Sequence, residues 1–308
     1  MRKLFVLLMS VSLVFLGACS LQPPEWAKPS GDKSPDDIKL GLSVSTLNNP
    51  FFVSIKEGVE KEAEAQGMEV IVVDAQNDAA KQINDVEDLI QQGVDALLIN
   101  PTDSSAISTA VQSANSLGIP VVTLDRSADK GEVATLVSSD NEKGGEMAGQ
   151  YLVDQLGEGA KVAELEGVPG ASATRERGAG FHNIADEQLD VIAKQTANFD
   201  RTEGLNTMEN ILQGHPDVEA VFAHNDEMAL GAYQAIQSSG KDILVIGFDG
   251  NEDALNSIKE GNLSATVAQQ PEKIGELAVQ AGADVLQGEE VQDSIPVPLK
   301  MMTEDTSE

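Results

Sequence analysis

Three features of the chain predict an α/β fold of two similar Rossmann-like domains with parallel sheets. Short Val/Ile/Leu runs with little alternation recur, as in strands buried on both faces. Segments with apolar residues at three- and four-residue spacing separate them, as in helices that cover a sheet. The scheme then appears a second time, at a nearly constant offset. In the first half, KLGLSVS (39–45) is followed by FFVSIKEGVEKEAEAQ (51–66), EVIVVDA (69–75), AAKQINDVEDLIQQ (79–92), DALLIN (95–100), SAISTAVQSANSL (105–117) and IPVVTLD (119–125). In the second, KVAELEG (161–167) leads through SATRERGAGFHNIAD, DVIAKQTA, EGLNTMENILQ, EAVFAHN, DEMALGAYQAIQ, ILVIGFDG and DALNSIKEG to LSATVAQ (263–269). Asn100 and Asn225 each end a strand, 125 residues apart, and Asp125 and Asp249 end the next strands, 124 apart. Ligands of open α/β sheets bind beyond the carboxyl ends of the strands. Two such domains facing each other would bring all four polar residues to one cleft.

Composition limits what the cleft can hold. The 308 residues are 41% hydrophobic, enough for real cores, and carry 20 Lys+Arg against 51 Asp+Glu for a net charge of −31. A surface so acidic argues against nucleic acid as a partner, which needs clustered cations. It keeps the chain soluble and fits a salty habitat that screens self-repulsion.

The N-terminus reads as an export signal. Arg2 and Lys3 precede an uncharged stretch, residues 4–18, too short to span a membrane comfortably. The only cysteine, Cys19, follows Leu16-Gly17-Ala18, which resembles the bacterial lipoprotein cleavage motif and marks residues 1–18 as a signal peptide and Cys19 as a lipidation site. A single cysteine permits no intramolecular disulfide and no cysteine metal cluster. Residues 19–37, rich in Pro, Ser and Asp and holding the sole Trp26, read as the lipidated Cys and a flexible tether.

Aromatic residues are only 4% of the chain, yet Phe51 and Phe52 stand side by side after Asn49-Pro50. With Phe199 and Phe248, they make four of the six phenylalanines beyond the leader that lie at or just after strand ends. An aromatic face suits the C–H face of a sugar ring. Four arginines remain beyond the leader: Arg126 after Asp125, Arg177 expected in a first helical turn, and Arg175 and Arg201, which read better as structural ion-pair partners. The guanidinium fork donates to hydroxyl and ring oxygens, Asp accepts from vicinal hydroxyls, and Asn does both. Together these residue types describe a site for a polyhydroxylated ring.

The stretches VSTLNNPFFVS, LLINPTDS, TLDR, TRERGAGF, NFDR, HNDEMALGA, GFDG and TVAQ closely resemble the ribose-binding proteins of bacterial ABC transporters, in the periplasmic sugar-binding superfamily, over residues 38–300. The resemblance implies the type I periplasmic binding protein fold: two domains hinged around a ligand cleft. The first would comprise residues 38–139 plus 270–298 and the second residues 140–269 plus 299–308, with chain crossings near 139–140, 269–270 and 298–299. Carried over by residue, the pentose contacts fall on Ser45, Asn49, Phe51, Phe52, Asn100, Asp125, Arg126, Arg177, Phe199, Asn225, Phe248, Asp249 and Gln269. All have the residue type of the ribose pattern, so the implied ligand is D-ribose and the implied partner is an ABC transporter permease. On this reading Phe51 and Phe52 face one side of the sugar, and Phe199 and Phe248 the other. The expected protein is a monomer outside the cytoplasm, anchored by lipid at Cys19, without catalytic residues, cofactor or metal.

Other functions fit less well. A nicotinamide-dependent dehydrogenase needs G-x-G-x-x-G after the first strand, where this chain has S-T-L-N-N-P. The three histidines, His182, His215 and His224, suggest no assisted nucleophile. A repressor would carry a basic DNA-binding segment in place of the leader. Asp74-Ala-Gln-Asn-Asp78 lacks the turn glycine and bidentate Glu of a calcium loop, and Asp78 reads as a helix cap. A different sugar, a furanose-like signal or an added chemoreceptor role remain the nearest alternatives.

Overall fold

The computed structural model describes Ser34 and residues 37–306, so the expected leader, Cys19 and most of the tether lie outside the described residues. Two six-stranded sheets share one plan. The first contains β1 (Lys39–Val44), β2 (Glu69–Asp74), β3 (Ala96–Ile99), β4 (Val121–Leu124), β5 (Thr135–Ser139) and β11 (Ser294–Val297), in the spatial order β2-β1-β3-β4-β5-β11. The second contains β6 (Lys161–Glu166), β7 (Asp190–Thr196), β8 (Ala220–Ala223), β9 (Leu244–Asp249), β10 (Ala265–Ala268) and β12 (Lys300–Thr303), in the order β7-β6-β8-β9-β10-β12. All pairings are parallel except that of β12 with β10. Chain order reverses between β1 and β3 and between β6 and β8. Such reversals open a crevice at the carboxyl ends of the strands.

The helices are α1 (Pro50–Gln66), α2 (Ala79–Gln91), α3 (Ser108–Ser116), α4 (Asn141–Leu156), α5 (Ser172–Gln188), α6 (Arg201–Gly214), α7 (Asp226–Ser239), α8 (Glu252–Lys259) and α9 (Pro271–Leu286). They cover both faces of each sheet and give four apolar clusters, two per sheet. One face of the second sheet packs Phe222 and Phe248 against Leu152 of α4 and Phe181 of α5.

Neighbouring helices approach closely through glycine. A Cβ on Gly145 of α4 would lie 2.1 Å from the Arg177 carbonyl oxygen, and one on Gly180 of α5 would lie 1.8 Å from that of Glu142. No side chain fits there, so this pair of helices requires both glycines. The contact sets the height of α5, which carries Arg177.

β5, α4, α9, β11 and β12 lie outside the stretches read as elements from the sequence. They surround the points where the chain passes between the sheets: from β5 to α4, from β10 to α9, and from β11 to β12. β11 is an edge strand, which accommodates Pro296, a residue with no ladder N–H to give.

Candidate functional site

A cavity with about 230 Å³ of atom-free space lies between the carboxyl ends of the two sheets. Asn49, Phe51, Phe52, Asp125 and Arg126 line it from the first domain, and Ala173, Arg177, Phe199, Asn225 and Asp249 from the second. Each wall is built at a strand end. After β1, Asn49 caps α1, its Oδ1 accepting from the Phe51 N–H at 2.9 Å, with Pro50 at the first helical position. That cap sets both phenylalanines at the cavity, their rings edge to face at 5.3 Å. After β4 and at the end of β9, Asp125 and Asp249 adopt φ of 62° and 122°. Non-glycine residues seldom adopt such values, and strain of this kind gathers at ligand sites. Phe199, after β7, has φ 60°.

Four charged side chains meet here almost out of water: Asp125 is 2% exposed, Arg126 3%, Arg177 3% and Asp249 4%. Arg177 sits in the second turn of α5, later than the first-turn position expected. Its Nε donates to Asn141 Oδ1 at 2.9 Å and its Nη1 to the His224 carbonyl at 2.6 Å. Its guanidinium lies 3.8 Å from the centre of the Phe248 ring. So held, it stands 3.7 Å from Asp249 Oδ1 and 4.0 Å from Asp125 Oδ1, between the two domains. Arg126 donates from Nη1 to the Pro101 carbonyl and stacks between the rings of Phe52 and Phe199, at 5.0 and 5.2 Å.

Burial pushes the Asp125 carboxyl up from the usual range, against Arg126, Arg177 and Asn100. Asp249 is pushed well up by burial, with the Asp226 charge acting the same way and Arg177 and Gln269 opposing. Asp226, behind it, is pushed up to about 7 by burial, despite accepting from Thr266 Oγ1 and the Asn251 N–H. Partners that donate to the carboxylates would favour their ionised form.

Four expected contacts stand one layer behind the cavity. The Asn100 side chain accepts from the Ser45 N–H at 3.2 Å and donates to Asp125 Oδ2 at 3.3 Å. Gln269 Nε2 donates to Asp249 Oδ1 at 2.9 Å. Phe248, expected as an opposing wall, is fully buried beneath Arg177, where its ring would strike any Cβ placed on Gly144. The buried Ser45 Oγ, Asp125 Oδ1, Arg126 Nε and Gln269 Oε1 have no hydrogen-bond partner within the protein. Of the two arginines read as structural, Arg201 bonds Glu227 and Asp253 within the second domain, whereas Arg175 bonds Asp129 of the first.

Sequence reasoning missed Ala173, a small wall residue, and Asn141, the brace of Arg177. It also missed the buried Glu164, which bonds His224 and His182 beneath them. Burial alone would raise Glu164. The His224 hydrogen bond, with the charges of His224, Lys194 and His182, outweighs it and holds the carboxyl below its usual range. None of these residues ends a strand in the repeated pattern, so the offset could not flag them.

A family model described as the periplasmic binding protein domain matches residues 40–290. The chain belongs to the periplasmic binding protein family. Within this family of periplasmic binding proteins, it is 69% identical to the ribose import binding protein of Bacillus subtilis (strain 168), over 99% of this chain and all of that one. It is 53% identical to the ribose import binding protein of Salmonella typhimurium, over 85% of this chain and 90% of the relative. Among solved structures, an ABC transporter solute binding protein from Mycobacterium smegmatis with bound glycerol matches with TM-score 0.84 and 35% identity, over 88% of this chain and 95% of that one.

Proposed function

We propose that this protein captures D-ribose between its two domains outside the cytoplasm and delivers it to the permease of an ABC transporter. The observation that carries this reading is the pairing of Asp125–Arg126 on one wall with Arg177–Asp249 on the other, flanked by Phe52 and Phe199. Two carboxylates accept from neighbouring hydroxyls, two guanidinium forks donate to hydroxyl and ring oxygens, and aromatic faces cover the C–H face. The 69% identity to a ribose import binding protein supports ribose as the sugar.

The walls come from both domains, so the sugar favours the closed arrangement by its contacts with each. The three crossings, near 139–140, 269–270 and 298–299, are the proposed hinge between the two domains bounded there. The permease then reads the closed form, and the protein performs no covalent step. Cys19 is proposed as a lipid anchor holding a monomer at the membrane. Among the described residues no helix is long and apolar enough to cross a membrane. Mass spectrometry of the N-terminal peptide from membrane-bound chain tests the anchor, and an unmodified Cys19 rejects it.

The deciding experiment is titration calorimetry of the full chain with ribose, xylose, arabinose, allose, galactose and glucose. One-to-one ribose binding with a Kd at or below about 1 μM, roughly 8 kcal/mol, is expected. Tight binding of another sugar instead would keep the mechanism and replace the ligand.

A further inference from the structure

The two domains touch at a second place, apart from the proposed sugar contacts. The loop after β3 carries Ser104, the loop after β4 carries Ser127 and Asp129, and the loop after β6 carries Gly170 and leads into Ser172, the first residue of α5. Three hydrogen bonds link the domains here. The Ser104 N–H donates to the Gly170 carbonyl at 3.0 Å. The Ser172 N–H donates to Ser104 Oγ at 3.1 Å, and the Ser127 N–H to Ser172 Oγ at 3.0 Å. Ser104 is fully buried and Ser172 2% exposed, so water competes poorly for these groups. Arg175, one turn along α5, adds an ion pair to Asp129 at 3.1 Å, exposed enough to count for little.

Gly170 supports the same reading. Its φ lies outside the left-handed region, yet a Cβ there would sit 2.0 Å from Asp103 Oδ2 of the other domain. Asp103 of the other domain would have to move to admit a side chain there.

We propose that Ser104 and Ser172 form a clasp across the cleft that sets ligand affinity without touching the sugar. The clasp grips the first turn of α5, and Arg177 stands in the second turn of the same helix. Fastening the clasp therefore carries Arg177 to its place near Asp125, and loosening it withdraws a sugar donor. The proposal rests on the sugar-capture reading of the adjacent cavity.

Ser104→Ala removes the acceptor of the Ser172 N–H, and Ser172→Ala removes that of the Ser127 N–H. Each bond acts only when the domains meet. Titration of the full-length wild type and variants with D-ribose should show Kd rising about five- to tenfold for each single variant. The double variant should rise by less than the product of the two, because the serines share one hydrogen-bond network. Stopped-flow measurements should place the change in the release rate. The melting temperature without sugar should stay at the wild-type value, because neither hydroxyl braces its own domain. Kd within twofold of wild type in both single variants overturns the clasp. So does a fall in sugar-free melting temperature that accounts for the loss of affinity. If the wild type takes a different sugar of the panel, the ribose reading falls, and the same comparison with that sugar still decides the clasp.

Discussion

Asn100 and Asn225 follow β3 and β8 in the two halves of the molecule, one register position apart, and do different work. The His224 N–H, not that of Asn225, donates to the Leu165 carbonyl as the Asn100 N–H does to that of Ser43. Asn225 is followed at once by α7 and caps it, its Oδ1 accepting from the Met228 N–H at 2.9 Å. Its Nδ2 donates to the Phe199 carbonyl, and the side chain lines the cavity. Asn100 is followed by Pro101 and a loop, and α3 begins only at Ser108. With no helix to cap, its side chain turns inward to the Ser45 N–H, the Leu124 carbonyl and Asp125. That shift of one residue is why the asparagines are 125 apart and the aspartates 124. The segment that follows each strand decides what its last polar residue does.

The aspartates differ less. Both are buried, both have positive φ, and each has an amide behind it: Asn100 for Asp125 and Gln269 for Asp249. Asp125 lies nearest its chain neighbour Arg126, whereas Asp249 lies nearest Arg177 of α5 in the same domain and faces a further carboxylate, Asp226, behind it. If the halves are matched walls, losing either carboxylate should be severe. Asp249→Ala should lower ribose affinity at least about 100-fold, because buried hydroxyls lose a charged acceptor, while the sugar-free protein still melts cooperatively. Wild-type affinity in calorimetry would remove Asp249 from the site.

The arginines sharpen the contrast between a sugar donor and an exposed pair. Arg177→Ala should cost about 30-fold or more in affinity, since a buried charge pair loses one member. Arg175→Ala should cost less than about fivefold, the range of an exposed ion pair. Equal losses would overturn the assignment of Arg177, rather than Arg175, as the sugar's donor.

The asparagines can be separated by chemistry rather than deletion. Asn225→Asp keeps a good helix cap and removes the amide donor. Its melting temperature should hold within a few degrees, while ribose affinity falls about tenfold, the worth of one well-placed hydrogen bond. Unchanged affinity alongside unchanged melting would leave capping as its whole role.

The smallest expected effect is that of pH. Burial raises Asp125 and Asp249, and on the proposed contacts sugar hydroxyls donate to their ionised forms, so binding should release a proton from whichever of the two is protonated beforehand. Affinity should therefore weaken as pH falls from neutrality, by several-fold per unit at most if one group dominates. Calorimetry in buffers of different ionisation enthalpy counts the protons directly, and proton uptake on binding would reverse the sign assigned here.

Much of the fold and site was legible before any coordinates. Short Val/Ile/Leu runs with little alternation read as strands of a covered sheet, and the nearly constant offset from Asn100 and Asp125 to Asn225 and Asp249 marks two domains of one plan. Asn49-Pro50 announces a capped helix that carries Phe51 and Phe52 to a strand end. These signals are local: each depends on residues within a few positions and on the geometry of a strand, turn or cap. Tertiary structure alone decided the rest. β11 and β12 belong to different sheets although only two residues separate them. Phe248 supports Arg177 instead of lining the cavity, Asn141 holds the guanidinium from a helix 36 residues earlier, and Ser104 meets Ser172 across the cleft. Those contacts join groups far apart in the chain, and their distances follow from how two finished domains pack, a quantity that no local pattern encodes.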